Sequence, residues 1–127
     1  MRLLLDAHAL LRWLLDDAAL PGSARRAIER GEVVYVSSAC VWEIAIKQRL
    51  GKLPELSLSV AELPELIVQC RFAALPITDR HAAGVAMLPH HHPDPFDLLL
   101  IAQAQAEKLI LVTRDARFAA YGVTVRW

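Results

Sequence analysis

Arg2-Leu3-Leu4-Leu5-Asp6-Ala7-His8-Ala9-Leu10-Leu11-Arg12-Trp13-Leu14-Leu15 sets two different periods back to back. Arg2 to Leu5 is a short apolar run closed by a carboxylate, the pattern of a strand covered on both faces. From Ala9 to Leu15 the apolar residues follow helical spacing, with Leu10, Leu11, Trp13, Leu14 and Leu15 forming one side. A buried strand, an acid and an amphipathic helix make the first half of a β-α unit.

The same alternation continues outward. Pro21-Gly22 is a break, Ser23 is placed to cap a helix through Arg30, and Gly31 ends it. Val33 to Ser37 reads as a second strand. Ser38 is placed to cap a helix from Ala39 to Leu50, stopped by Gly51. Pro54 to Ser59 reads as a loop and Val60 to Phe72 as helical, with Pro64 in a first turn or at a kink. Ala73 to Ile77 reads as a third strand, and Thr78 caps a helix through Met87. Leu88 to Pro93 is a loop. Pro95 to Lys108 carries the strongest helix pattern, with Pro at its start and Lys in its last turn. Leu109 to Thr113 is a fourth strand, Arg114 to Tyr121 a short helix and Val123 to Arg126 a last strand. This order predicts an α/β domain with a central, mostly parallel sheet flanked by helices.

Composition agrees with one folded domain over residues 1–127. The chain has 127 residues, 55% hydrophobic and 22% charged, which argues for a packed core. Its 14 Lys+Arg balance 14 Asp+Glu, so it is not a general polybasic nucleic-acid binder. No stretch reaches the roughly 18–20 apolar residues that span a bilayer. Met1 to Asp6 does not read as a secretory signal, and a cytoplasmic location is expected. Cys40 and Cys70 read as buried thiols, not a disulfide framework.

In open parallel sheets ligands bind outside the carboxyl ends of the strands. Asp6 ends the first strand there, and Asp115 follows the fourth by two residues. Glu43 lies within Val41-Trp42-Glu43-Ile44-Ala45-Ile46, and Asp97 lies between Phe96 and Leu98-Leu99-Leu100-Ile101. Charges bordering apolar runs are costly unless paired or metal-bound. Asp16, Asp17, Glu29, Glu32 and Glu55 sit in polar contexts instead. Lys47 is placed to pair with Glu43 one helical turn earlier. Two bare carboxylates about 4 Å apart repel by roughly 4 kcal/mol at an effective dielectric near 20. A converging cluster therefore holds protons or a cation, and all-oxygen ligands favour Mg²⁺ or Mn²⁺. Such ions activate water and stabilise in-line phosphoryl displacement.

Each acid alone has an ordinary role available. Asp97 suits a first helical turn, and Asp94 before Pro95 suits a helix cap. His90-His91-His92 lacks the spacing of a zinc site. His8 and Thr113 stand near Asp6 and Asp115, with packing and strand roles as the defaults. Trp13 and Trp42 read as core or interface aromatics, and Lys47, Arg49 and Lys52 form a modest basic patch. The constellation carries the signal.

Four stretches in order resemble PIN-domain ribonucleases, and more closely the VapC-type toxins of prokaryotic toxin–antitoxin pairs. They are Leu3-Leu4-Leu5-Asp6-Ala7-His8, Ser38-Ala39-Cys40-Val41-Trp42-Glu43-Ile44-Ala45-Ile46-Lys47, His92-Pro93-Asp94-Pro95-Phe96-Asp97 and Val112-Thr113-Arg114-Asp115. The resemblance runs from the first strand to Trp127. It implies a three-layer PIN-like fold and an acidic site that binds Mg²⁺ or Mn²⁺ and cuts RNA. By position, Asp6, Glu43, Asp97 and Asp115 would be the catalytic, metal-binding acids. Asp94, Thr113 and His8 would be auxiliary. Leu98 stands where relatives with Asp-Pro-Phe-Asp commonly have Arg, so no arginine contact is expected from that position. The resemblance also implies a homodimer and a VapB-type antitoxin that covers the site. Promoter DNA would be bound only through the antitoxin.

Two other readings stay open on the sequence. One is a phosphoacceptor receiver domain, which needs an acidic pair before the first loop, an Asp ending the third strand and a Lys ending the fifth. Here the third strand ends Pro76-Ile77-Thr78. The other is a catalytically inactive interaction domain of the same fold.

Overall fold

β1 (Arg2–Leu5) is the centre of the molecule, with Leu3, Leu4 and Leu5 fully buried. It pairs in parallel with β2 (Val33–Ser37) on one side and β4 (Ile110–Val112) on the other. Leu5 sits level with Val36 and Val112, so the strand ends are in register where Asp6 leaves the sheet. β3 (Ala73–Leu75) and β5 (Val125–Arg126) are the parallel edges, giving the order β3-β2-β1-β4-β5. The computed structural model describes all residues except Glu55, His92 and Pro93.

The helices are α1 (Ala7–Leu14), α2 (Gly22–Arg30), α3 (Ser38–Arg49), α4 (Leu63–Gln69), α5 (Asp79–Gly84) and α6 (Pro95–Glu107). They flank the sheet, with α3 packed on α1 and α6, and α5 on α6. Apolar side chains from every layer join one core, including Leu10, Ile28, Ile44, Leu63, Leu100 and Phe118. Each such side chain contributes about 1.5–3 kcal/mol relative to exposure. The chain builds β2 and β3 on one side of β1, then β4 and β5 on the other. The switch point therefore lies between β1 and β4, and a crevice opens at their carboxyl ends. This order also differs from the 2-1-3-4-5 order of receiver domains, so the receiver reading fails on topology.

Several boundaries move from their sequence expectations. Ser37, not Ser38, caps α3, its hydroxyl accepting from the Ala39 N–H at 3.0 Å. Ser23 does not cap α2; Pro21 occupies the cap position and the Ser23 hydroxyl donates to the Trp127 carbonyl. The stretch expected to be helical over 60–72 splits into a 3-10 turn, Val60–Glu62, and α4, with Pro64 in its first turn. Arg114 to Tyr121 is a 3-10 segment, Ala116–Tyr121. The helix from Thr78 is capped as expected but ends at Gly84, with a 3-10 turn over Val85–Met87. β3 stops at Leu75, short of Ile77. Cys40 is buried, whereas Cys70 is only half-buried. Trp13 packs on Phe72, but Trp42 is 58% exposed and meets Phe96 edge-on at 5.2 Å.

Candidate active site

Asp6 is both the end of β1 and the cap of α1. Its carboxylate accepts from the Ala9 N–H at 2.8 Å, and its own N–H bonds the Val112 carbonyl. The residue is buried, and burial is the main force raising its pKa. Glu43 adds to the rise; the Thr113 hydrogen bond, the Ala9 N–H and His8 oppose it. Thr113 is itself buried just past β4, where its hydroxyl also accepts from the Asp115 N–H at 3.1 Å. One threonine thus orders the acids after both central strands.

Glu43 is presented by the second turn of α3 and is 5% exposed. Lys47 reaches it at 2.7 Å, as the spacing predicts. Asp94 caps α6, accepting from the N–H groups of Phe96 at 2.9 Å and Asp97 at 3.2 Å. Asp97 follows in the first turn. Its pKa is pushed up to about 7, first by burial and then by Asp94, Glu43, Asp6 and Asp115. Beneath them the Cys40 thiol is pushed well above its usual range, by burial and then by Asp6, Glu43 and Asp97. Acids from three elements thus add to the effect of burial on one thiol.

A cavity of about 490 Å³ joins these groups. Asp6, Glu43, Asp94, Asp97 and Asp115 line it, with His8 at its exposed rim. Arg12, Lys47, Arg114 and Arg117 also line it. Arg117 was not singled out by the sequence, although it stands two residues beyond Asp115. The 3-10 turn folds its guanidinium back onto the Asp115 carboxylate, with contacts at 3.0, 3.2 and 2.7 Å. Of the sequence patch, only Lys47 lines the cavity; Arg49 and Lys52 are exposed outside it. His91 stacks edge-on against Tyr121, and its N–H bonds the Tyr121 hydroxyl, which is a packing role. His92 lies outside the described residues.

The donor set suits a hard divalent cation: every acid offers oxygen, and positive charge offsets both the burial and the repulsion that lift Asp97. Among the described residues no three such groups already meet at one point. The acids line one cavity, in which Lys47 pairs with Glu43 and Arg117 with Asp115. A second, more apolar groove of about 250 Å³ adjoins the acids. Leu11, Leu15, Ile44, Leu53 and Leu56 are among its lining residues, and it shares His8, Arg12 and Lys47 with the acid cavity.

Comparison with known proteins places this arrangement. Ribonuclease VapC16 of Mycobacterium tuberculosis is 38% identical over 50 residues, covering 39% of this chain and 36% of that protein. The match therefore spans about a third of that relative's length. VapBC2 of Rickettsia felis, solved with a DNA fragment from its promoter, superposes with a TM-score of 0.68 at 14% identity. That alignment covers 98% of this chain and 97% of the other. VapC20 of Mycobacterium tuberculosis, a toxin that cleaves the sarcin–ricin loop, gives 0.68 at 15% identity, covering 96% of each chain. Among the described residues no helix is long and apolar enough to cross a membrane. Residues 3–123 match the PIN domain profile, and the chain belongs to the PIN domain family.

Proposed function

We propose that this protein is a metal-dependent endoribonuclease toxin of the VapC type. The observation that carries this reading is the convergence of Asp6, Glu43, Asp94, Asp97 and Asp115 on one cavity at the switch point of the sheet. Asp6, Glu43, Asp97 and Asp115 would hold Mg²⁺ or Mn²⁺, with Asp94 auxiliary. When bound, such an ion makes water nucleophilic near neutral pH and stabilises charge on a phosphodiester. The chain's own residues do the rest. Thr113 fixes the Asp6 carboxylate, and the N-terminus of α6 orients Asp97. Arg12, Arg114, Arg117 and Lys47 give an otherwise neutral protein a local positive rim for an RNA backbone.

The apolar groove beside the acids supports the second half of the reading. It suits a VapB-type antitoxin segment that fills the groove with apolar side chains and blocks the acid cavity. The pairing named in the Rickettsia felis assembly agrees with such a partner. We further propose a homodimer, with promoter DNA reached only through the antitoxin. Purified protein incubated with total RNA and Mn²⁺ should yield discrete fragments. Chelator or Asp97→Asn should abolish them. Intact RNA with folded wild-type protein across RNA classes would favour an inactive interaction domain.

A further inference from the structure

Outside the acid cavity the structure buries three more polar side chains that touch one another. Ser37 and Gln103 are fully buried, and His81 is 2% exposed. The Ser37 hydroxyl caps α3 and donates its single hydrogen to Gln103 Oε1. The Pro76 carbonyl, which can only accept, orients the amide: Gln103 Nε2 faces it at 3.4 Å and His81 Nδ1 at 3.3 Å. The Thr78 N–H, which can only donate, also meets His81 Nδ1, at 3.1 Å. Nδ1 is therefore an acceptor. The ring proton sits on Nε2 and is donated to Glu107 Oε1 at 2.9 Å. Hydrogens thus run one way, from the cap of α3 through α6 and α5 to a carboxylate at the end of α6. The Pro76 carbonyl, the Thr78 N–H and the Glu107 carboxylate have fixed polarity and set the direction of the rest, which admits one arrangement where an apolar contact would admit several.

The placement of this chain of bonds gives it a consequence for the site. Ser37 stands six residues before Glu43, and Gln103 six residues after Asp97. At 1.5 Å per residue, the link crosses between α3 and α6 about 9 Å of helix from either acid. A slide of one helix past the other changes the Glu43–Asp97 spacing, and it must first break the Ser37–Gln103 hydrogen bond. We propose that Gln103 is a positioning residue of the acid site, setting the register of α3 against α6 so that Glu43 and Asp97 can share a divalent cation. This rests on the metal reading above.

The test is Mn²⁺ uptake without RNA, followed by loss of the free-ion paramagnetic resonance signal. Gln103→Met and Ser37→Ala remove the link. Ile28→Ala, a core deletion near the amino ends of the strands, serves as a destabilised comparator. Gln103→Met and Ser37→Ala should weaken Mn²⁺ binding about tenfold or more, the scale of an outer contact that orients a ligand. Ile28→Ala should bind as the wild type does while losing as much melting temperature. Should Gln103→Met not fold, Ser37→Ala carries the same test. Wild-type affinity in the folded Gln103→Met or Ser37→Ala protein would overturn the proposal. So would equal weakening in Ile28→Ala, because loss of stability alone would then suffice. Absence of uptake by the wild type would overturn the metal reading itself, before any variant is compared.

Discussion

The inner wall and the outer rim of the acid cavity use the same chemistry in opposite surroundings. Asp6 and Asp97, on the inner wall, have raised pKa values, with burial the largest cause in both. Asp115, on the rim, has a side chain 27% exposed and held by Arg117, whose side chain is 63% exposed. The inner acids carry the cost of burial, and some mutual repulsion, that a cation would relieve. The rim acid is already compensated by a cation of its own chain. Carboxylates at the ends of neighbouring strands can thus have different tasks, set by depth and not by residue type.

The largest effect should come from neutralising the inner wall. Asp6→Asn and Asp97→Asn should each lower RNA cleavage by about 100-fold or more, the scale of losing a principal electrostatic group. Initial rates on one defined RNA would measure this. A smaller loss in both than in Asp115→Asn would reverse the comparison.

The pH dependence follows next. Asp97 rises from 3.8 to about 7 on folding, so the folded state binds this proton more tightly. Its contribution to stability is present below pH 4 and is lost as pH rises towards 7. After discounting for solvent screening, the loss is about 2 kcal/mol. In metal-free protein, Asp97→Asn should remove that share of the decline and raise the melting temperature at pH 8. Denaturant unfolding at pH 5 and pH 8 would show it. An unchanged pH slope would contradict the half-buried placement of Asp97 among the other acids.

Thr113→Val should cost about 1–2 kcal/mol, since it leaves the Asp6 carboxylate and the Asp115 N–H each short of a partner. Thermal melts at neutral pH test this. The smallest change in stability belongs to the rim: Arg117→Ala should leave the melting temperature nearly unchanged, because both partners are solvent-accessible. Its effect should appear instead as weaker RNA binding that narrows with added salt. A large loss of stability would mean the rim is as structural as the wall.

The sheet and the inner acids were legible because their signals are local. Leu3-Leu4-Leu5-Asp6 shows a doubly covered strand ending in a charge, and Glu43 and Asp97 interrupt apolar stretches. Lys47 followed from helix spacing alone. What escaped depends on the path of the backbone between elements. Arg117 reaches Asp115 only because a 3-10 turn replaces the expected short helix. The Ser37–Gln103 bond joins residues 66 positions apart, so no window of sequence contains it. Ser37 and Ser38 offer the same side chain to cap α3, and only the extended backbone of Ser37 selects between them. His81 lies within the helix that starts after Thr78, and only tertiary packing places Gln103 and Glu107 on its two nitrogens.

Calorimetric titration of Mn²⁺ into purified wild-type, Asp6→Asn and Asp97→Asn proteins tests the central claim most directly. The predicted result is saturable binding by the wild type that both variants lose while remaining folded. Folded wild-type protein that binds no Mn²⁺, or variants that bind as tightly as the wild type, would contradict a cation site at the carboxyl ends of β1 and β4.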